Sequence, residues 1–311
     1  MVLGRGNYGV KGRAYMKMRK LLSGLLVLSV IATSACTTPT GQTDFGTKQG
    51  VEAYELAAYA SMTPEEICRT LTLEQKASQM IQPTIYNTDA SEMKDTDYGS
   101  ILSRIDNYPM PTAEEWKATV DEYQKYAIQA EAPIPYVYGN DSLHGVNFAS
   151  GCVIFPHNIN VGAANDAALT EEYGKLVGSD IVHTGMLLNF SPCVATANDP
   201  RWGRTYESYS SDSAIVTDMA VAYSRGLLSE GILVCPKHFF GDGMTTFGTG
   251  EDSSSMLLDR GDARLTEEQI RDQLSISFLR QLMYFSFSCI FVPLREEWES
   301  MITWTPSSIR A

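Results

Sequence analysis

The sequence predicts an α/β fold built on a buried parallel sheet, and two observations carry that prediction. Short, nearly continuous apolar runs alternate with helical segments, as in strands covered on both faces by their crossover helices. Each apolar run also ends in a cluster of polar residues, at the C-terminal strand end where such folds place their sites.

The elements follow in order. Residues 37–60 open as a Thr/Gly/Gln stretch that suits a linker. Thr63-Pro64-Glu65-Glu66 begins a helix, with a hydroxyl cap and acids in the first turn. Thr112-Ala113-Glu114-Glu115 adds a capping box and leads a helix to about Ala130. Three strands are expected: IPYVY (134–138), MLLNF (186–190) and ILVC (232–235). Helices are expected at 166–183 and 212–229, the second capped by Asp212 or Ser211. LTEEQIRD (265–272) starts another helix, with Thr266 and Gln269 as its capping box. After Asp272 glycine disappears and periodicity fades. The run LMYFSFSCIFVPL (282–294) is uncharged and β-prone, an aggregation hazard if exposed, and too short for a membrane span.

Composition narrows the function. The chain has 311 residues, 44% of them hydrophobic and 20% charged, as in ordinary globular proteins. A net charge of −13, from 37 acidic against 24 basic residues, excludes nucleic acid as an expected partner. Residues 16–36 read as a secretory signal: Lys17, Arg19 and Lys20, an apolar run, then small residues up to Cys36. Thr33-Ser34-Ala35-Cys36 resembles a bacterial lipoprotein box, which would make Cys36 the lipidated residue. Export to the periplasm or outer membrane of a bacterium is the expectation, with membrane contact only through that anchor. Cys68, Cys152, Cys193, Cys235 and Cys289 show no metal-ligand spacing, and mostly buried thiols are expected.

Four segments collect the chemistry: YGNDSLHG (138–145), FPHN (155–158), NDPRWGRTYESY (198–209), and PKHFFGDG (236–243) extended to Asp252. They offer carboxylates, arginines, a lysine, imidazoles and aromatics at successive strand ends. That set suits sugars, since charged groups bond hydroxyls strongly and aromatic faces cover the C–H side of a pyranose. No Gly-rich phosphate loop or GxSxG elbow points to nucleotide or serine-hydrolase chemistry. Singly, each feature has an ordinary reading. Asp199-Pro200 and Gly241-Asp242-Gly243 suit turns, Arg204 and Glu207 a surface ion pair, and His144, His157 and His183 structural roles.

Together the segments resemble the N-terminal domain of glycoside hydrolase family 3, the exported β-glucosidases and exo-β-glucanases. TLEQK (72–76) with Gln79-Met80 is similar to its opening helix, and the four segments are similar to its central and lysine–histidine motifs. The resemblance implies a (β/α)8 TIM-barrel-like domain, incomplete at its C-terminal end. The implied organisation is a signal at 1–36, a linker at 37–60, a partial family domain at 61–272 and a non-family tail at 273–311. It makes Asp141, Arg204, Lys237 and His238 the grips on the non-reducing-end sugar of a β-glucoside or β-glucan oligosaccharide, with Glu207 and Asp242 as supports. Aspartate at 242, where N-acetylglucosamine-specific members tend to carry histidine, places the chain in the glucosidase and glucanase branch. Met244 departs from the glycine often found there. No cofactor or metal is implied.

Retaining hydrolysis needs two carboxyl groups about 5–5.5 Å apart. The family's serine–aspartate–tryptophan-like nucleophile motif has no match after Asp272, where the acids are Glu296, Glu297 and Glu299. No catalytic residue is therefore assigned. The expectation is a truncated or frameshifted family member without turnover. The alternatives are a non-catalytic carbohydrate-binding lipoprotein or a misfolded fragment.

Overall fold

The computed structural model describes residues 59, 61–102, 109–238, 241–249 and 261–270. The signal with Cys36, nearly all of the linker, Cys289, the 282–294 run and the acids after it lie outside them, as do Phe239 and Phe240. The chain divides into two compact units, 1–72 and 73–311.

In the first unit, α1 (Pro64–Thr70) starts as the sequence requires. Thr63 Oγ1 accepts from Glu66 N, and the Glu66 carboxylate accepts from Thr63 N at 2.7 Å, so this start too is a capping box.

The second unit holds the sheet. After α2 (Leu73–Gln79) and the short α3 (Met93–Thr96), the chain runs β1 (Ser100–Leu102), α4 (Ala113–Ala127), β2 (Val137–Asn140), α5 (Asn158–Ala164) and α6 (Ala167–His183). It continues through β3 (Leu188–Asn189), α7 (Ser213–Ser229), β4 (Leu233–Val234) and α8 (Glu267–Ile270). All four strands are parallel and pair in sequential order. Strand order never reverses, so there is no switch-point crevice of the doubly wound kind among the described residues. Sequential parallel strands with helices between them are the arrangement of a barrel wall, whose open C-terminal rim carries the loops.

The expected strands are present but shifted. Proline at 135 cannot donate to a ladder, and β2 begins at Val137 and takes in Gly139 and Asn140. Around β3, ladder bonds extend past its two core residues, from Leu187 N to Tyr138 O at 3.2 Å and from Phe190 N to Asn140 O at 3.0 Å. The expected helices form with their caps: Thr112 with Glu115, Asp166, Asp212, and Thr266 with Gln269. Strand β1 and helix α5 are not among the expected elements. Three residues are too few to show a period, and Asn158, Asn160 and Gly162 are poor helix formers held by context.

Trp116 centres the main core. Its indole donates to Phe148 O at 2.9 Å, and its ring meets Tyr138 and Phe148 edge-on. Helices α6 and α7 meet through glycine. A Cβ on Gly226 would lie 2.2 Å from Glu171 O, and one on Gly174 would lie 2.3 Å from Tyr223 O. Of the four described cysteines, Cys193 and Cys235 are buried, Cys152 is half-buried and Cys68 is exposed. Against the expectation of mostly buried thiols, two of these four are buried, and Cys68 on α1 faces out. Among the described residues, no helix is long and apolar enough to cross a membrane.

Candidate functional site

The site is built on the C-terminal ends of β2, β3 and β4. Past β2, the Asn140 carboxamide accepts from Asp141 N at 2.8 Å. The next residue is anchored to its neighbours. Ser142 N donates to Asn189 Oδ1 at 2.9 Å, Asn189 Nδ2 returns a bond to Ser142 O at 3.1 Å, and Tyr223 Oη donates to that same carbonyl at 2.9 Å. Asp141 is thereby fixed with its carboxylate half exposed at the rim.

Beyond β4 the chain keeps pairing with the segment after β3. Lys237 N donates to Pro192 O at 2.9 Å and Val194 N to Lys237 O at 2.6 Å. This register turns Lys237 inward, where only 7% of it is exposed, and its ammonium donates to Asp141 Oδ1. The following peptide, Lys237–His238, is cis.

Arg204 precedes a 3-10 turn, Thr205–Glu207, that Glu207 ends. The guanidinium grips both carboxylate oxygens, Nε to Oε1 at 2.8 Å and Nη2 to Oε2 at 2.7 Å. The Glu207 side chain is 7% exposed, so this is not the surface pair that sequence spacing suggests. Hydrogen bonding to Glu207 raises the Arg204 guanidinium well above its ordinary range. Asn158, from the FPHN segment, donates to Glu207 O at 2.8 Å and holds the turn.

His238 joins the groups. Its Nδ1 lies 2.7 Å from Asp242 Oδ2, and its Nε2 lies 3.4 Å from Arg204 Nη2. A proton on Nδ1 satisfies both contacts: Asp242 accepts it, and the Nε2 lone pair faces the guanidinium. The result is a line from Asp242 through His238 and Arg204 to Glu207. Both imidazole nitrogens are occupied.

His144 and His157 meet at a tilt with centroids 4.1 Å apart, and His157 meets Tyr206 edge-on at 4.8 Å. Burial and then His144 lower the His157 imidazole below its ordinary range. Asp199 and Arg201 pair on the surface, where Arg201 also covers Phe247 at 3.9 Å. That pairing holds the Asp199 carboxyl down at about 2. His183 ends α6 with its ring against Ser179 O of the same helix.

Sequence reasoning missed Asn140, Asn189 and Cys193. A carboxamide within an apolar strand was the signal for Asn189. For Cys193 there was none: it is wholly buried, its thiol pushed up to about 12 chiefly by that burial and secondarily by the Glu207 carboxylate. Cys193, His238 and Asp242 offer ligand atoms within 4.8 Å of one another.

Fold and site thus define a barrel-like α/β domain whose rim gathers paired charged groups. The sequence profile of the glycosyl hydrolase family 3 N terminal domain matches residues 72–271, and the chain belongs to that family. It is 28% identical over 145 residues to the lysosomal beta glucosidase of Dictyostelium discoideum, covering 43% of this chain and 18% of the relative. It is 24% identical over 232 residues to beta-glucosidase C of Emericella nidulans, covering 66% and 36%. The chain therefore spans about a third or less of these curated relatives. Among solved structures, an exo-1,3/1,4-beta-glucanase from a Pseudoalteromonas species is 31% identical with a TM-score of 0.63, over 76% of this chain and 30% of that one. The beta-glucosidase from Listeria innocua in complex with glucose, 20% identical with a TM-score of 0.56 over 74% and 33%, shares the fold.

Proposed function

We propose that Asp141, Arg204, Lys237 and His238 hold the non-reducing-end glucose of a β-glucoside or β-glucan oligosaccharide, with Glu207 and Asp242 fixing Arg204 and His238. One observation carries this reading. Residues from three separate strand ends converge with their charges paired off, the Asp141–Lys237 pair beside the Asp242–His238–Arg204–Glu207 line. Such a surface is pre-arranged for hydroxyls, each of which can donate to a carboxylate and accept from an ammonium or guanidinium. The likeness to an exo-1,3/1,4-beta-glucanase and to a beta-glucosidase in complex with glucose supports the sugar class.

The family reaction in this reading is retaining hydrolysis of O-glycosyl bonds, releasing β-D-glucose. It requires a nucleophilic carboxylate and a second carboxyl about 5–5.5 Å away. Asp141, Glu207 and Asp242 are each engaged by a lysine, an arginine or an imidazole, and so serve as holders. In this reading the chain binds sugar through these groups. In the same reading it is exported and anchored by a lipid on Cys36, which palmitate labelling of wild type against Cys36→Ser tests.

Calorimetric titration of the full chain with glucose tests the cradle. Saturable binding is expected, with Asp141→Ala and Lys237→Ala each weakening it at least about tenfold, the loss of one charge-assisted hydrogen bond. Absence of any glucose heat or thermal shift overturns the reading. Turnover of an aryl β-glucoside that survives both substitutions overturns the site assignment.

A further inference from the structure

We propose that Cys193, His238 and Asp242 form a binding site for a zinc-class divalent cation, and that cation and sugar exclude one another. The site lies against the sugar cradle, and the antagonism rests on the glucose-binding reading above. The cation site itself does not.

The donor set is the first argument. Thiolate, imidazole and carboxylate are the three protein ligands of zinc, and thiolate biases a site towards softer cations over magnesium or calcium. Geometry is the second. The three ligand atoms lie within 4.8 Å of one another, whereas bonds of about 2.0–2.3 Å at tetrahedral angles hold ligands about 3.3–3.6 Å apart. The imidazole and carboxylate, 2.7 Å apart across the hydrogen bond that the cation replaces, part slightly to admit it, and the Cys193 side chain moves in to complete the set. The site is also enclosed: Cys193 is wholly buried, and the His238 and Asp242 side chains are 12% and 19% exposed. Local spacing could not show it, because Cys193 reaches His238 only through the strand pairing of Cys193 with Lys237.

Two cations oppose a third. Arg204 Nη2 is 3.4 Å from His238 Nε2 and Lys237 precedes the histidine, but Glu207 and Asp141 already neutralise them. The exchange balances. The thiol S–H bond breaks, its proton leaves to solvent and a sulfur–metal bond forms. On His238 the metal replaces the Nδ1 proton, which moves to Nε2 and keeps the imidazole neutral. Nε2–H then faces the Arg204 guanidinium, donor against donor, and the contact between them is lost. One proton is released per cation, and the arm of the cradle through His238 and Arg204 is broken. Sugar and metal therefore compete.

The test uses the full chain with Cd2+ as a spectroscopic probe and Zn2+ as the working ion. Cd2+ should give an ultraviolet sulfur-to-cadmium charge-transfer band, and Zn2+ should release one proton per ion in buffers of differing ionisation enthalpy. At ten times its own Kd, Zn2+ should raise the apparent glucose Kd about tenfold by mass action. Cys193→Ser should abolish the component of the band that glucose displaces. It should also abolish the antagonism, with glucose affinity kept within about twofold because the wholly buried Cys193 is not among the sugar-holding groups. Cys68→Ser should change neither. Should Cys193→Ser misfold, Cys193→Ala provides the same comparison. A band and an antagonism that persist in both Cys193 variants overturn the proposal. If the band depends on Cys193 but no glucose binding is seen in wild type, the sugar reading fails and the metal site stands.

Discussion

Lys237, just past β4, reaches back 96 residues to place its ammonium on the Asp141 carboxylate just past β2. The lysine is buried and the aspartate half exposed, so the two members of the pair depend on each other unequally. Asp141 can fall back on water; Lys237 cannot.

That asymmetry gives the first prediction. Asp141→Asn leaves a buried ammonium without its counter-charge and should cost about 1–2 kcal/mol, reduced from the fully buried case because the aspartate is partly solvated. Lys237→Met should cost less, because a long apolar side chain fills the same space. The double variant should be more stable than the summed single effects by about 1 kcal/mol, as expected for residues in direct contact. Urea unfolding of the four proteins measures this, and strict additivity would show that the pair is not coupled.

Glu207 supports Arg204 from a nearly closed position. Glu207→Gln keeps the shape but offers the guanidinium one acceptor in place of two. It should destabilise the chain by about 2–3 kcal/mol, below the full value for a buried pair because Arg204 is a third exposed. Glucose affinity should fall with it. Arg204→Lys should not preserve binding, since an ammonium cannot fork across two oxygens. A lysine variant with wild-type affinity would remove the fork from the account.

These two predictions mark what the sequence could and could not disclose. The meeting of Asp141 with Lys237 and His238 was legible because these residues follow apolar strands, and parallel strands bring their C-terminal ends together; Arg204, in a long loop past β3, was picked out only by the family resemblance. The helix boundaries at Thr112 and Thr266 were legible because capping is a local interaction within four residues. The depth of Glu207 was not. A three-residue spacing reads the same on a surface turn as under a roof, and only the Asn158 bond from α5 reveals the roof. Asn140 reads as a turn residue because carboxamides favour turns, yet it completes β2. Its side chain caps the next peptide, a role that depends on the strand ending there.

The His144–His157–Tyr206 ring cluster carries a pH dependence. Burial and the neighbouring His144 depress the His157 pKa, so folding favours its neutral form. The sign follows: this contribution is fully present above the unfolded value of about 6.5 and is lost as pH falls through and below it. Between pH 7 and pH 5 the wild type should therefore lose more stability than His157→Phe, which keeps a ring against Tyr206 and nothing to protonate. Denaturant midpoints at the two pH values supply the comparison. Equal losses in both proteins would place the acid sensitivity elsewhere.

Gly243 sets the loop that carries Asp242, and a glycine five residues on isolates why. Both have left-handed φ, +81° at Gly243 and +82° at Gly248, so alanine at either incurs the left-handed penalty of about 1–2 kcal/mol. At Gly248 nothing lies within 4 Å of an added Cβ. At Gly243 the Cβ would lie 2.7 Å from Thr196 O and 3.2 Å from the buried Trp202 ring, and Gly243 O also accepts from Asn198 N at 3.2 Å. Backbone cannot yield as a flexible side chain does, so Gly243→Ala must displace its own loop and draw Asp242 from His238. It should cost about 1–3 kcal/mol more than Gly248→Ala and weaken glucose binding, whereas Gly248→Ala should leave affinity unchanged. Thermal unfolding and glucose titration of the two variants separate conformational strain from crowding. Matching losses of affinity would show that the loop's conformation, not its close approach to Thr196, governs the cradle.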